Sequence, residues 1–359
     1  MVVPGGFDPG GQHGLIPALV SLAQELARRH AVHVFASAGL AGAARYRLGA
    51  VEVTQRPGRE TSAALSGALW RWWRAAGPFD VVHAFWANHT ALLAAAFARL
   101  RGVRCVVSLG GGEAVWLPDL AYGGAGTVRS RAVTQSALRL ADAITAGSAF
   151  VTRLLPDALG RRVSIVPLGV DGGHFAAPPA RPAGPPWRLV HVANLNTVKD
   201  QPTLLAALRR AVDRLGDVHL DCVGEDTLQG QMQAHARALG VEAHVAFHGF
   251  VPQDQLAAFY RRAHLHVLSS RHESQAVVVL EAAAAGLPTV GTRVGLVDTL
   301  APHAAAAVGI RDAAALGDAI IALLRDQPAR EAMGAAAQAF ARAHDLAWTA
   351  RRFEEIYRP

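Results

Sequence analysis

The segments Leu265-His266-Val267-Leu268, Ser269-Ser270-Arg271-His272-Glu273-Ser274, Gln275–Ala285, Gly286-Leu287-Pro288 and Thr289-Val290-Gly291-Thr292 follow one another without a break. The first, largely apolar, and the last, Thr289–Thr292, are short runs of strand length. The stretch from Gln275 to Ala285 has the length of a helix, and Gly286 and Pro288 supply its stop signal. Strand, helix and strand in that order make a parallel βαβ unit. Working outward, the same alternation fills the chain. Upstream lie strands Arg188–Ala193, His219–Val223 and His244–His248, with helices Gln201–Leu215 and Gln255–Arg262. Further back are Val32–Ala36, Asp80–Phe85, Arg104–Leu109, Ala143–Ala146 and Val163–Val166, with a helix over Leu15–Arg29 and Ser148 as the cap of another. Val2–Val3 reads as the stub of a first strand, short enough to suggest that the chain begins late.

At 359 residues the chain fits two domains of about 170. The Pro-, Gly- and Ala-rich segment 173–186 is the clearest linker. It separates an N-terminal domain, 1–172, from a C-terminal one, 187–344. The tail 345–359 carries Trp348, Phe353, Ile356 and Tyr357 at helical spacing and is expected to pack back on the N-terminal domain. The predicted class is α/β, with two Rossmann-like doubly wound parallel-sheet domains facing a cleft. In such domains ligands bind at the carboxyl ends of the strands.

Composition narrows the function classes. The chain is 51% hydrophobic and 18% charged, with mean hydropathy +0.20, as a globular protein with large cores would be. No apolar run approaches ~18 residues, and no secretory leader is recognisable, so a cytoplasmic protein is expected. Cys105 and Cys222 lie far apart in apolar runs and read as buried free thiols. Residues 1–172 hold 17 arginines against 10 acidic residues, whereas the remainder is neutral. That asymmetry suits an anionic acceptor or peripheral contact with the inner membrane face, and equally an arginine-rich codon bias. No aromatic-interleaved basic stripe points to nucleic acid. Leu69-Trp70-Arg71-Trp72-Trp73-Arg74 reads either as a membrane-interface helix or as one packing its tryptophans on the sheet. Of 35 basic residues, Lys199 alone is lysine, a compact charge suited to phosphate.

Glu273 and Glu281 stand eight residues apart, roughly 12 Å along a helix. That exceeds the ~9.5 Å limit for a glycosidase pair. They could grip two separated hydroxyl-bearing parts of one ligand; in isolation, such a pair also reads as a helix-end decoration and a surface cap. The amides of Ser274, Gln275 and Ala276 at the helix N-terminus would favour a phosphate. No Asp-x-Asp triplet offers a carboxylate pair to a divalent metal. None of the 16 histidines, His264, His266, His83 and His89 included, forms a metal-binding motif.

The run from Leu265 to Val290 resembles the signature of glycosyltransferase family 4, whose members are retaining, metal-independent, two-domain GT-B enzymes. Four further segments resemble family motifs in the right order: Pro167-Leu168-Gly169-Val170-Asp171, Val192-Ala193-Asn194-Leu195 with Val198-Lys199-Asp200, Val223-Gly224-Glu225, and Phe247-His248-Gly249-Phe250-Val251. The resemblance implies an enzyme that moves a sugar from a nucleotide-diphosphate donor to a glycan, lipid-linked or small-molecule acceptor, with no cofactor. It implies that Glu281 meets the ribose, that Glu273 meets the transferred sugar, and that Lys199 neutralises the diphosphate. Gly10 and Gly11 would let the backbone approach the phosphates, and Phe250 and Val251 would face the nucleotide. Two positions depart from the pattern. Asn194 stands where the family carries arginine, with Arg271 and Arg293 as substitutes. Gly110 of the Gly110-Gly111-Gly112-Glu113 loop stands where it carries histidine. Glu113 then becomes the acceptor-side polar candidate, with His83 and Asn88 beside it. A nucleotide-sugar 2-epimerase and a non-catalytic nucleotide-sugar binder are the alternatives on the same architecture.

Overall fold

The computed structural model describes residues 1–3, 5, 7, 17–36, 44–55, 67, 70–75, 77–176, 181 and 183–358. The chain forms two compact units, Met1–Gly169 with Leu346–Pro359, and Val170–Asp345.

In the first unit the strands are β1 (Val2–Val3), β2 (His33–Ala36), β3 (Ala44–Leu48), β4 (Val51–Gln55), β5 (Val81–Phe85), β6 (Arg104–Leu109), β7 (Ala143–Ala146) and β8 (Val163–Ile165). They order β3-β4-β2-β1-β5-β6-β7-β8, all parallel except the β3–β4 hairpin. β6 is buried on both faces, which is why it reads as a near-continuous apolar run. One face packs on helices His89–Arg101 and Val128–Leu140 through Ala91, Ala94, Ala98 and Leu138. The other carries helices Pro17–Ala27 and Leu346–Tyr357, with Leu19, Leu22 and Phe353 in the core. The tail helix is tied down by Thr349, whose hydroxyl donates to Pro167 O (2.7 Å) and accepts from Gly169 N (2.9 Å).

In the second unit β9 (Trp187–Val192), β10 (Val218–Val223), β11 (Val245–Phe247), β12 (Leu265–Leu268), β13 (Thr289–Thr292) and β14 (Ala305–Val308) order β11-β10-β9-β12-β13-β14. Every pairing is parallel. Helices Gln201–Leu215 and Ala313–Arg325 cover one face through Leu204, Leu208, Leu316 and Ile320. The chain walks outward from β9 to β11, then returns to the other side of β9 at β12. The β9/β12 border is therefore the topological switch point; in the first unit it is β1/β5.

Several sequence expectations change. The β3–β4 hairpin and β14 were not foreseen, because Arg45 and Arg47 break the apolar signal and Ala305–Val308 is mostly alanine. The helix expected over Gln275–Ala285 starts only at Val277, because Ala276 sits at φ 65° in the left-handed region. The 12 Å spacing computed for a continuous helix from Glu273 therefore does not apply. Ser148 precedes a 3-10 stretch, Ala149–Leu154, and its side chain makes no cap bond. In the 70–75 helical stretch Trp72 and Trp73 pack on Phe79, whereas Trp70 faces outward under the Arg101 guanidinium, 3.7 Å from its ring centre. Cys105 and Cys222 are both free and buried, and burial pushes the Cys105 thiol up to about 12. Among the described residues no helix is long and apolar enough to cross a membrane.

Candidate functional site

The second unit assembles its polar cluster at the switch point. Lys199 ends a short 3-10 turn, Thr197–Lys199, just beyond β9, and Glu273 lies in the loop beyond β12. Because β9 and β12 are neighbours, residues 74 apart in sequence meet: Lys199 Nζ donates to Glu273 Oε1 at 2.6 Å. Ser270 Oγ donates to the same oxygen, also at 2.6 Å. The two loops are cross-tied beneath the pair. Arg271 N donates to Val198 O (2.7 Å), Ser269 Oγ to Lys199 O (2.7 Å) and Thr292 Oγ1 to Ser270 O (2.6 Å). A cation and an anion are thus held in fixed positions beyond the carboxyl ends of β9 and β12, the kind of preorganisation that electrostatic catalysis requires.

His191, inside β9, supports this floor and was missed in the sequence, where it looks like one polar interruption of an apolar strand. Its Nδ1 lies 2.9 Å from Val267 O and its Nε2 3.3 Å from Gln201 Nε2. Burial lowers its pKa to about 4, so it is neutral. Gln201 also donates to Asn194 O at 3.2 Å. Asn194 Oδ1 accepts from Glu225 N (3.1 Å) and so ties the β9 loop to the β10 loop. The residue standing in for the family arginine holds backbone and brings no charge. Arg293, one proposed substitute, lies 4.0 Å from Asp298. Ser274 and Gln275 are buried in the loop before the helix Val277–Ala284. Phe250 is 50% exposed and, with half-buried Val251, extends the loop beyond β11.

Glu281 has a different partner from Glu273. It is buried on the helix Val277–Ala284 and accepts from Tyr260 Oη at 2.8 Å. The carboxyl implied to meet a ribose is therefore enclosed against a tyrosine. Burial pushes its pKa up to about 7, against the opposing pull of the Tyr260 hydrogen bond. A carboxyl whose folded pKa is raised stabilises the fold fully below its unfolded value, and that contribution is lost as pH rises through the folded one. We expect Glu281→Gln to remove a loss on the order of 3 kcal/mol between about pH 4.5 and pH 7. Melting curves of the two proteins across that window test it, and parallel pH profiles would refute it.

In the first unit the acceptor-side candidates divide. Glu113 is 8% exposed, and its carboxylate binds backbone: Oε1 accepts from Ala87 N and Gly110 N (both 3.1 Å), and Oε2 from Gly111 N (2.7 Å). Burial raises its pKa, and these amides pull the other way. Glu113 is thus a staple joining the ends of β5 and β6, its carboxylate engaged by three backbone amides. His83 is buried under the tail helix, with Nδ1 2.8 Å from Tyr357 Oη and Nε2 2.7 Å from Ser108 Oγ, and with Trp72, Phe97 and Tyr357 it lines a cavity of the first unit. Asn88 caps the helix His89–Arg101, its Oδ1 accepting from Thr90 N and Ala91 N. Strand-end position suggested ligand contact for both; one serves the core and the other a helix cap.

The Gly110–Gly112 loop is glycine for a packing reason. A Cβ at Gly110 would lie 3.0 Å from the Trp86 ring, one at Gly111 2.8 Å from its Nε1, and one at Gly112 2.9 Å from the Tyr122 ring. Trp86 itself has φ 62°, a genuine outlier for so bulky a residue. Gly10 and Gly11 lie outside the described residues. Among the described residues no group of three or more His, Cys, Asp or Glu side chains is placed to hold a metal ion.

Comparison with known proteins agrees with this layout. The family described as Glycosyltransferase Family 4 matches residues 18–172, and the family described as Glycosyl transferases group 1 matches residues 178–340. Glycogen synthase of Mycobacterium tuberculosis is 28% identical over 267 residues, 72% of this chain and 63% of that protein. The chain thus spans less than two thirds of that relative's length. HepE of Anabaena, solved in complex with UDP and glucose, superposes with TM-score 0.75 at 17% identity over 99% of this chain and 98% of that one. Sucrose-phosphate synthase of Thermosynechococcus elongatus gives TM-score 0.79 at 17% identity over 99% and 97%. With each half matched by its own family and two parallel-sheet domains of the GT-B class, the chain belongs to glycosyltransferase family 4.

Proposed function

We propose that this chain is a retaining, metal-independent glycosyltransferase that moves a sugar from a nucleotide-diphosphate donor to an acceptor hydroxyl. The observation that carries the reading is the Lys199–Glu273 pair, 2.6 Å apart at the switch point of the second unit. Two features support a nucleotide-sugar donor: the sole lysine of the chain stands there, and a neighbour of the same fold was captured with UDP and glucose. In the proposed reaction the bond between the anomeric carbon and the β-phosphate oxygen breaks, and its electron pair leaves with the nucleotide diphosphate. Lys199 offsets the charge that develops there. The acceptor oxygen bonds to the same face of that carbon, and its proton passes to the departing phosphate oxygen. Glu273, oriented by Lys199 and Ser270, stands by the sugar as charge builds at the anomeric carbon. Metal independence rests on the missing Asp-x-Asp triplet, with lysine in the metal's role. A peripheral place at the inner membrane face fits the basic first half, where Arg101 covers exposed Trp70 and Leu100 is 85% exposed.

Thermal-shift screening against UDP-, GDP- and ADP-sugars, followed by slow donor hydrolysis with the best binder, tests the reading. Stabilisation by one of them is expected. Lys199→Ala should weaken that donor roughly 10- to 100-fold, the loss of one charge-assisted contact. A screen in which no nucleotide sugar raises the melting temperature would overturn the proposal. Conversion of the donor alone into an isomeric nucleotide sugar would assign an epimerase instead.

A further inference from the structure

We infer that Trp86 is the acceptor-binding residue of the first unit, and that it takes a six-membered polyhydroxylated ring, a pyranose or a cyclitol. This rests on the glycosyl-transfer reading above. Three observations converge on that side chain. It lies at the carboxyl end of β5, beside the β1/β5 switch point where doubly wound sheets bind ligands. Its backbone is held at φ 62°, and strain of this kind persists where the surroundings over-determine it, characteristically at ligand clamps. Here they do: Trp86 N donates to Ser108 O and Asn88 N to Trp86 O (both 2.8 Å), Glu113 anchors Ala87 N, and Asn88 caps the next helix. Finally, the ring rests on two glycines that leave no room for side chains of their own, at Cβ distances of 3.0 and 2.8 Å.

The indole is half-buried, and no described residue accepts its N–H. Part of the indole packs on Gly110, Gly111 and the apolar core, and the part of its surface left exposed, with an N–H that no described residue engages, suits a ring with apolar C–H faces and a hydroxyl edge. A linear anion would want a cation instead, and the carboxylate of Glu113 already occupies the backbone amides nearby.

The test uses the full chain with Trp86→Phe, which keeps a ring but loses the N–H, and Trp86→Gly, which relieves the strain and removes the ring. UDP-glucose is the donor probe, with GDP- or ADP-glucose in its place if the screen prefers that base. Methyl α-D-glucopyranoside and myo-inositol are the cyclic acceptors, and glycerol and L-malate the acyclic ones. Trp86→Gly should lower transfer to the cyclic acceptor at least tenfold more than it lowers hydrolysis of the donor by water. Trp86→Phe should fall between. Preference for methyl α-D-glucopyranoside or for myo-inositol tells pyranose from cyclitol. Without donor, the cyclic compounds should change the tryptophan fluorescence of the wild type, and glycerol should not. Equal losses of hydrolysis and transfer in Trp86→Gly would reduce Trp86 to a packing residue and overturn the inference. So would a wild type that hydrolyses donor but transfers only to acyclic acceptors or to none. Absence of any donor binding alongside a fluorescence response to the rings would instead count against the donor reading and leave the ring site standing.

Discussion

Replacing Glu273 with glutamine is expected to lower sugar transfer about 10²–10³-fold while leaving the fold intact, the loss typical of one preorganised electrostatic group. The amide keeps the shape of the carboxylate, and its oxygen can still accept from Ser270 Oγ and Lys199 Nζ, which both lie 2.6 Å from Oε1. In the proposed reaction, what disappears is the negative charge beside the carbon at which positive charge accumulates. Steady-state transfer with the donor identified by thermal shift measures the effect, alongside a melting curve. Turnover within threefold of wild type would remove Glu273 from the chemistry. A fall in melting temperature that accounts for the lost activity would make its role structural.

The largest expected stability loss lies at Gly224, just beyond β10. Its φ is 147°, and a Cβ there would lie 2.1 Å from Ala193 O and 2.7 Å from Asn194 N. Those are backbone atoms of the adjacent β9 loop, pinned by the hydrogen bonds from Ala193 N to Val223 O and from Gly224 N to Gly249 O. No side chain can rotate away to make room. Gly224→Ala should therefore cost more than about 3 kcal/mol, from strained backbone and overpacking together. For a unit of this size that is on the order of 10 °C in melting temperature. The same change should also part the loops that carry Asn194 and Lys199, so donor stabilisation should fall with it. A calorimetric shift under 2 °C would show that the loops can separate freely and would undo the packing account.

Several features of this protein were legible in the sequence because they are local. A parallel strand buried on both faces must be a continuous apolar run, and a helix must stop at glycine and proline. β6, β7, β12 and β13 therefore have the bounds their patterns imply. Lys199 and Glu273 were legible too, one as the only lysine and the other by its place in a family motif. Their contact was not. It exists because β12 returns to the side of β9 opposite β10, and strand order is a property of the whole sheet. Glu113, His83, Asn88 and Glu281 show the limit most clearly. Each is a polar residue near a strand end or in a motif, so sequence position alone marked each as a ligand contact. Only tertiary structure reveals that backbone amides, Tyr357 with Ser108, a helix N-terminus and Tyr260 already engage them. Trp86 went unnoticed for the converse reason: its left-handed backbone and its seat on two glycines leave no trace in residue type. The sequence by itself determined the alternating elements, the two domains and the charges available to the site. Which charges meet was decided by the order of strands in each sheet, because a buried polar group must find its partner wherever the fold places one.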